Sequence, residues 1–174
     1  KDCSLRFFFR YGAGIKETDD VEESAEANTQ GSILHESLEM LYKPFVGKVL
    51  TEKNIQDCLS NTEATVNVIF QNYFSQKESQ FGKNYLQRKV LYEYVKKLLH
   101  NDQKLIQTAH QTNELLSLID LEKDLSSSLS VNIKGIDTEV FIKGSADRID
   151  KLGNKIRIID YKSSVKTSDK FKFT

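Results

Sequence analysis

Three observations predict an α/β fold for this chain. Apolar residues recur at helical spacing as far as about residue 112. From about Glu114 they alternate instead with polar ones, as in strands that bury one face. Lastly, the short β-branched run Ile156, Ile158, Ile159 sits between Gly153-Asn154 and Ser163-Ser164, as a buried strand would. One structural domain is expected, with a helical region over 1–112 and a sheet over 113–174.

In chain order, Leu5, Phe8 and Phe9 form an aromatic stripe on an opening helix that Gly12-Ala-Gly14 ends. The acidic run Glu17, Asp19, Asp20, Glu22, Glu23, Glu26 has no apolar period and reads as a loop. A second helix begins near Thr29 and turns Leu34, Leu38, Leu41 and Phe45 inward until Pro44 and Gly47 break it; His35 lies on the flank of that stripe. Thr51 caps a short helix with Ile55 and Leu59, and Asn61 caps another with Val66, Ile69, Phe70, Tyr73 and Phe74 on one face. Leu91, Tyr94, Val95 and Leu98 repeat the pattern, with Leu86, Val90 and Leu99 beside them. Lys83, Arg88, Lys89, Lys96 and Lys97 on these helices read as a solvated face, with phosphate contact as the alternative. His100 and His110 carry no motif and read as surface residues. Gly135-Ile-Asp137 reads as a turn between strands.

The chemistry concentrates in Gly144 to Lys162. Side chains alternate along a strand, so Ile156, Ile158, Asp160 and Lys162 share a face. With Lys151 to Asn154 as a hairpin loop, Asp150 opposes Lys155 and Asp147 opposes Ile158, which makes Asp147 and Asp160 diagonal neighbours, about 7–8 Å apart. Two carboxylates so placed suit one hard divalent cation, and the Lys162 ammonium two residues on suits a water beside it. Glu122 lies on a preceding strand, where solvent exposure competes with a supporting role near the metal.

These residues carry a resemblance. Gly144-x-x-Asp147, thirteen residues before Asp160, followed by Asp160-Tyr161-Lys162, resembles the RecB-like branch of the PD-(D/E)XK nuclease superfamily, and Asp147-Arg148-Ile149-Asp150 resembles a common form of its second motif. Gly31-Ser-Ile-Leu-His35 is similar to the family's Gly-x-x-x-His motif, and Cys3-Ser-Leu-Arg-Phe-Phe-Phe-Arg-Tyr11 to its opening helix, with Ser4 in place of a proline. The nuclease domains of bacterial AddB-type recombination subunits are the nearest in pattern. The resemblance implies a restriction-endonuclease-like core, a mixed sheet flanked by helices, preceded by a helical subregion. It implies DNA cleavage with Mg²⁺ or Mn²⁺ held by His35, Asp147, Asp160 and the main-chain carbonyl of Tyr161, with Asp147, Asp160 and Lys162 as the catalytic set. Glu39, one turn after His35, is expected to accept the second ring N–H. Ser163 or Ser164, where relatives often carry Thr-Gly, is expected to bond a phosphate or simply to end the strand. It further implies a helicase partner, linear DNA as substrate and a bacterial cytoplasmic setting. A C-terminal truncation is expected, because the helix that follows Asp-x-Lys in relatives is absent before Thr174. Cys3 is either a small buried residue or the first ligand of a 4Fe-4S cluster completed by cysteines beyond Thr174. A CRISPR-adaptation nuclease and a catalytically silent DNA-binding scaffold are the alternatives, and no DNA-contacting residue is assigned.

Composition bounds these expectations. At 174 residues and 39% hydrophobic, the chain can bury a core as one domain. Twenty-five basic residues balance 25 acidic ones, which argues against a chain-wide nucleic-acid footprint, yet Lys143 to Thr174 holds nine Lys or Arg against four Asp. No apolar run reaches the roughly 18 residues of a transmembrane helix, the start is no signal peptide, and the first residue, Lys1, suggests an origin inside a longer parent. Cys3 and Cys58 have no Cys-x-x-Cys spacing, so the chain encodes neither a disulfide framework nor a complete cysteine metal site.

Overall fold

The computed structural model describes residues 27–75, 82–133 and 136–162, with Phe8 and Ala13; the expected opening helix, acidic loop, Cys3 and the Ser163-Ser164 end signal lie outside the described residues. Helix α1 spans Ala27–Tyr42 and runs into a 3-10 turn, Lys43–Phe45, where Pro44 stops the α-helical ladder. Its buried residues Ile33, Leu34, Ser37, Leu38, Leu41 and Tyr42 recur at helical spacing and leave His35 half-buried beside them.

Helix α2, Glu52–Tyr73, is one continuous helix where two were expected. Thr51 does cap it: its hydroxyl accepts from the Asn54 N–H, and the Asn54 side chain accepts from the Thr51 N–H. Asn61 caps nothing, because its amide donates back to the Asp57 carbonyl at 2.8 Å, one turn behind. The buried stripe Ile55, Cys58, Thr62, Val66, Ile69 runs past it unbroken. Burial pushes the Cys58 thiol up to about 12, which leaves it inert. Helix α3, Gly82–Gln111, turns Leu91, Val95, Leu99, Ile106 and Ala109 inward; Leu86 and Val90, expected beside them, are exposed.

The strands β1 (Leu116–Ile133), β2 (Ile136–Leu152) and β3 (Lys155–Ile159) form an antiparallel sheet in the order β1-β2-β3. The α/β class is as expected, and among the described residues every strand pair is antiparallel, without the parallel pair that a mixed sheet needs. Asp137 belongs to β2, opposite Asn132, and not to a turn. The β2–β3 loop is only Gly153-Asn154, because Lys151 and Leu152 remain paired with Ile156 and Lys155. Gly153 has φ +56° as the first loop residue, where a type II′ hairpin calls for glycine, and a Cβ there would lie 2.5 Å from Glu114 Oε1. The tight loop shifts the register by two residues from expectation, so Asp150 opposes Arg157 and not Lys155. A two-residue shift preserves which side chains share a face, but β3 is not the buried strand expected, because Ile156 and Ile158 are exposed on that face.

Helices and sheet share one core, in which Leu34, Leu38, Phe70, Val95, Leu99, Leu116 and Leu118 are all buried. The α1–α2 connection hydrogen-bonds to the start of β1: Leu118 N–H donates to Lys48 O at 3.0 Å and Leu50 N–H to Leu116 O at 2.8 Å. Beneath the sheet lies a buried ionic cluster that sequence pattern did not disclose. Arg148, 1% exposed, pairs with Asp102 of α3 and, at 2.8 Å, with Asp150, itself fully buried. Its guanidinium lies 4.6 Å from the centre of the Tyr42 ring. Arg157 closes the cluster with two bonds to Asp150, at 2.7 and 2.8 Å. Burial works against the Arg148 charge, but the facing Asp102 carboxylate, together with the Tyr42 and Tyr161 side chains, offsets it and raises its pKa above the ordinary arginine value.

Removing one member of such a cluster strands the other charges in the core. Arg148→Ala is expected to lower stability by about 3–5 kcal/mol, whereas Lys89→Ala, which removes an exposed pair with Glu63, changes it by no more than about 1 kcal/mol. Urea unfolding of the three proteins, compared at constant slope, measures both.

Candidate active site

Asp147 and Arg148 are adjacent on β2 and so point to opposite faces. Arg148 enters the core cluster, and Asp147, its side chain only 8% exposed, points to a group of polar residues. The Tyr161 N–H donates to Asp147 Oδ2 at 2.5 Å. Across from it, His35 of α1 places Nδ1 3.4 Å from Asp147 Oδ1, and its Nε2–H donates to the Tyr161 carbonyl at 2.8 Å. Thus the helix, the second strand and the segment after the third meet at His35, Asp147 and Tyr161. Glu39, expected on the His35 ring, instead lies 3.4 Å from Lys43, since the ring nitrogens face Asp147 and Tyr161.

Glu122 is exposed, and it also faces this group. Its carboxylate, His35 and Asp147 offer three ligand atoms within 4.8 Å of one another. Register explains this. A bulge between Leu118 and Asp120 shifts the β1–β2 pairing by one, so Glu122, between the pairs Leu121↔Arg148 and Lys123↔Ala146, comes opposite Asp147. Without the extra residue the two carboxylates would not oppose each other. Glu122 has φ 46°, a left-handed conformation that costs a non-glycine residue about 1–3 kcal/mol.

Asp160 follows the last paired residue of β3, Ile159, which opposes Arg148; one further step of the ladder would bring Asp160 level with Asp147. The observed pairing ends one residue short of it, in a register two residues from the one that made Asp160 diagonal to Asp147. The Asp160 carboxylate is not in the three-residue group but holds Lys162 Nζ at 2.6 Å. That bond raises the Lys162 pKa, so the side chain, 74% exposed, holds its proton as a cation and a hydrogen-bond donor.

One imidazole nitrogen and two carboxylate oxygens form a donor set that fits a hard divalent cation. Partial burial first, and the Asp147 charge next, raise the Glu122 pKa, as in a site that gains by taking up positive charge. The open apolar depression on α3, lined by Leu86, Val90 and Tyr94 with Lys89, Glu93 and Lys97, shares no residue with this group.

Helices on a three-stranded antiparallel sheet, with an imidazole and two carboxylates gathered at the sheet, define an α/β domain with a candidate metal centre. A family model described as the PD-(D/E)XK nuclease superfamily matches residues 1–172, and the chain belongs to that superfamily. Its members are generally nucleases and usually use Mg²⁺ or Mn²⁺. No curated protein and no solved structure matches the chain. Among the described residues no helix is long and apolar enough to cross a membrane.

Glu122 separates local strain from ligand chemistry. Glu122→Gln is expected to weaken Mn²⁺ binding by at least about tenfold, measured by isothermal titration. Glu122→Gly is expected to weaken it as much while leaving the melting temperature unchanged or higher, because glycine accepts the positive φ.

Proposed function

We propose that this chain is the catalytic domain of a Mg²⁺- or Mn²⁺-dependent deoxyribonuclease that hydrolyses phosphodiester bonds. The observation that carries this reading is the meeting of His35, Glu122 and Asp147; Lys162, exposed and held by Asp160, is near enough to feel the Asp147 charge. His35, Glu122 and Asp147 would hold the ion, with the Tyr161 carbonyl and Asp160 as further ligands from the adjoining segment. A bound divalent ion would supply Lewis acidity there, polarising the phosphodiester and making a bound water more acidic than bulk water. Lys162 donates hydrogen bonds to the attacking water and to the phosphoryl oxygens, offsetting charge that develops on them; a donor so placed contributes about 3–4 kcal/mol to the transition state. Asp160 keeps Lys162 charged and turned towards this side. Asp147, buried and held by the Tyr161 N–H, stays fixed while substrate exchanges.

The order Gly31-x-x-x-His35, Asp147-Arg148-Ile149-Asp150, Asp160-Tyr161-Lys162 supports a RecB-like, AddB-type assignment. On this reading the domain is an exonuclease acting on linear DNA, single- or double-stranded, within a bacterial helicase-nuclease for recombination and repair in the cytoplasm.

Asp147→Ala is expected to abolish both Mn²⁺ binding and DNA cleavage. Lys162→Ala keeps Mn²⁺ binding, and DNA binding in Ca²⁺, but lowers the cleavage rate by about 10²–10³-fold. Cleavage of end-labelled DNA, alongside binding in Ca²⁺, tests both. Wild type that binds DNA without cutting it in Mg²⁺ or Mn²⁺, with both variants behaving as wild type, leaves the silent scaffold as the reading.

A further inference from the structure

Tyr161 holds a place that the metal ligands do not explain. It follows the end of β3, where the strand ladder no longer fixes the backbone. Its N–H donates to Asp147 and its carbonyl accepts from His35, so one residue's two peptide groups bridge β2 and α1. Its side chain does not point to the site's open side. The ring packs against the hydrophobic core and meets the His35 ring edge-on, centroids 6.1 Å apart at 76°. Burial pushes its hydroxyl up to about 12, against the opposing pull of the nearby Arg148 charge.

We propose that the Tyr161 ring is the positioning element of the metal site, wedged between the core and His35 so that the main-chain groups on either side of it hold Asp147 and His35 in place. This rests on the proposed function and adds a role for a side chain that touches neither metal nor substrate. Three attachments fix the segment: the N–H, the carbonyl and the ring. Alternation does the rest. With Tyr161 turned inward, its neighbours Asp160 and Lys162 turn outward, and both are exposed. A flexible aliphatic group of similar bulk fills the core but does not fix the ring contact with His35, so the peptide groups gain freedom and the ligand set loosens.

The test compares Tyr161→Leu, which keeps apolar bulk, with Tyr161→Phe, which keeps the ring. Mn²⁺ titration without DNA, urea unfolding and steady-state cleavage are measured on each. Tyr161→Leu is expected to bind Mn²⁺ at least about tenfold more weakly and to lose kcat with KM for DNA unchanged. Tyr161→Phe restores Mn²⁺ affinity to within about twofold of wild type. Unfolding midpoints near wild type for both variants accompany this result. Wild-type Mn²⁺ affinity in Tyr161→Leu overturns the proposal, as does a Tyr161→Phe variant as weak as Tyr161→Leu. If Tyr161→Leu does not fold, Tyr161→Met supplies the same comparison. A wild type that binds Mn²⁺ yet cuts no DNA overturns the nuclease reading while the Mn²⁺ series still decides the role of Tyr161; a wild type that cuts DNA while Mn²⁺ affinity ignores Tyr161 overturns the positioning role alone.

Discussion

A single buried cation ties together the elements that carry the site. Arg148 pairs with Asp102 of α3 and Asp150 of β2 and lies over Tyr42 of α1, while Asp150 also takes Arg157 of β3. Taking these charges out of water costs several kcal/mol per ion, so the cluster is stable only when every partner is in position. Arginine suits the place better than lysine, because its planar guanidinium can bond two carboxylates and still stack on a ring. The Tyr42 hydroxyl donates to Asp102 at 2.5 Å, and its pKa is raised well above the ordinary value by burial first and by Asp102 next. The hydroxyl therefore keeps its proton and remains a donor.

This arrangement constrains the opposite face of β2. Once Arg148 is locked into the core, the pleat obliges Asp147 to point the other way. The strand motif Asp147-Arg148-Ile149-Asp150 thus alternates between two tasks, with Asp147 at the candidate metal centre and Arg148 and Asp150 in the anchor. The same anchor sets the height of α1 through Tyr42, two turns beyond His35 on the same helix. Arg157 opposite Asp150 ties β3 to β2 close to the point where the chain leaves towards Tyr161.

On the outer side, crowding works in the reverse sense. Glu122 and Asp147 are brought level by a bulge, with Glu122 held in a left-handed conformation. Like charges in proximity and backbone strain both oppose this arrangement when no cation is bound. The core cluster and the paired strands on either side hold it in place. Strain beside a stable anchor is a common division of labour at sites that must bind an ion and release product.

Much of this was legible in the residues. Helical spacing located the inner face of α1 and the flank position of His35, and Thr51 announced the start of α2. Those features depend on short-range periodicity and capping, which neighbouring residues determine. The length of the β2–β3 loop was not legible, because Lys151 and Leu152 are as compatible with a turn as with a strand until their partners Ile156 and Lys155 are in place. Asn61 looked like a cap, yet tertiary packing of the continuous stripe around it kept the helix intact. Glu122 was visible only as a strand carboxylate with solvent exposure as the alternative, and Asp102 and Tyr42 gave no local signal of their roles. Each acquires its role from a residue distant in sequence, through the one-residue bulge in β1 for Glu122 and through the Arg148 charge for the other two. Sequence alone determined which side chains share a face and which motifs they spell. Tertiary structure decided which faces meet, because a bulge and a buried ion pair act across elements, and a one-residue shift in a strand changes the side to which a carboxylate points.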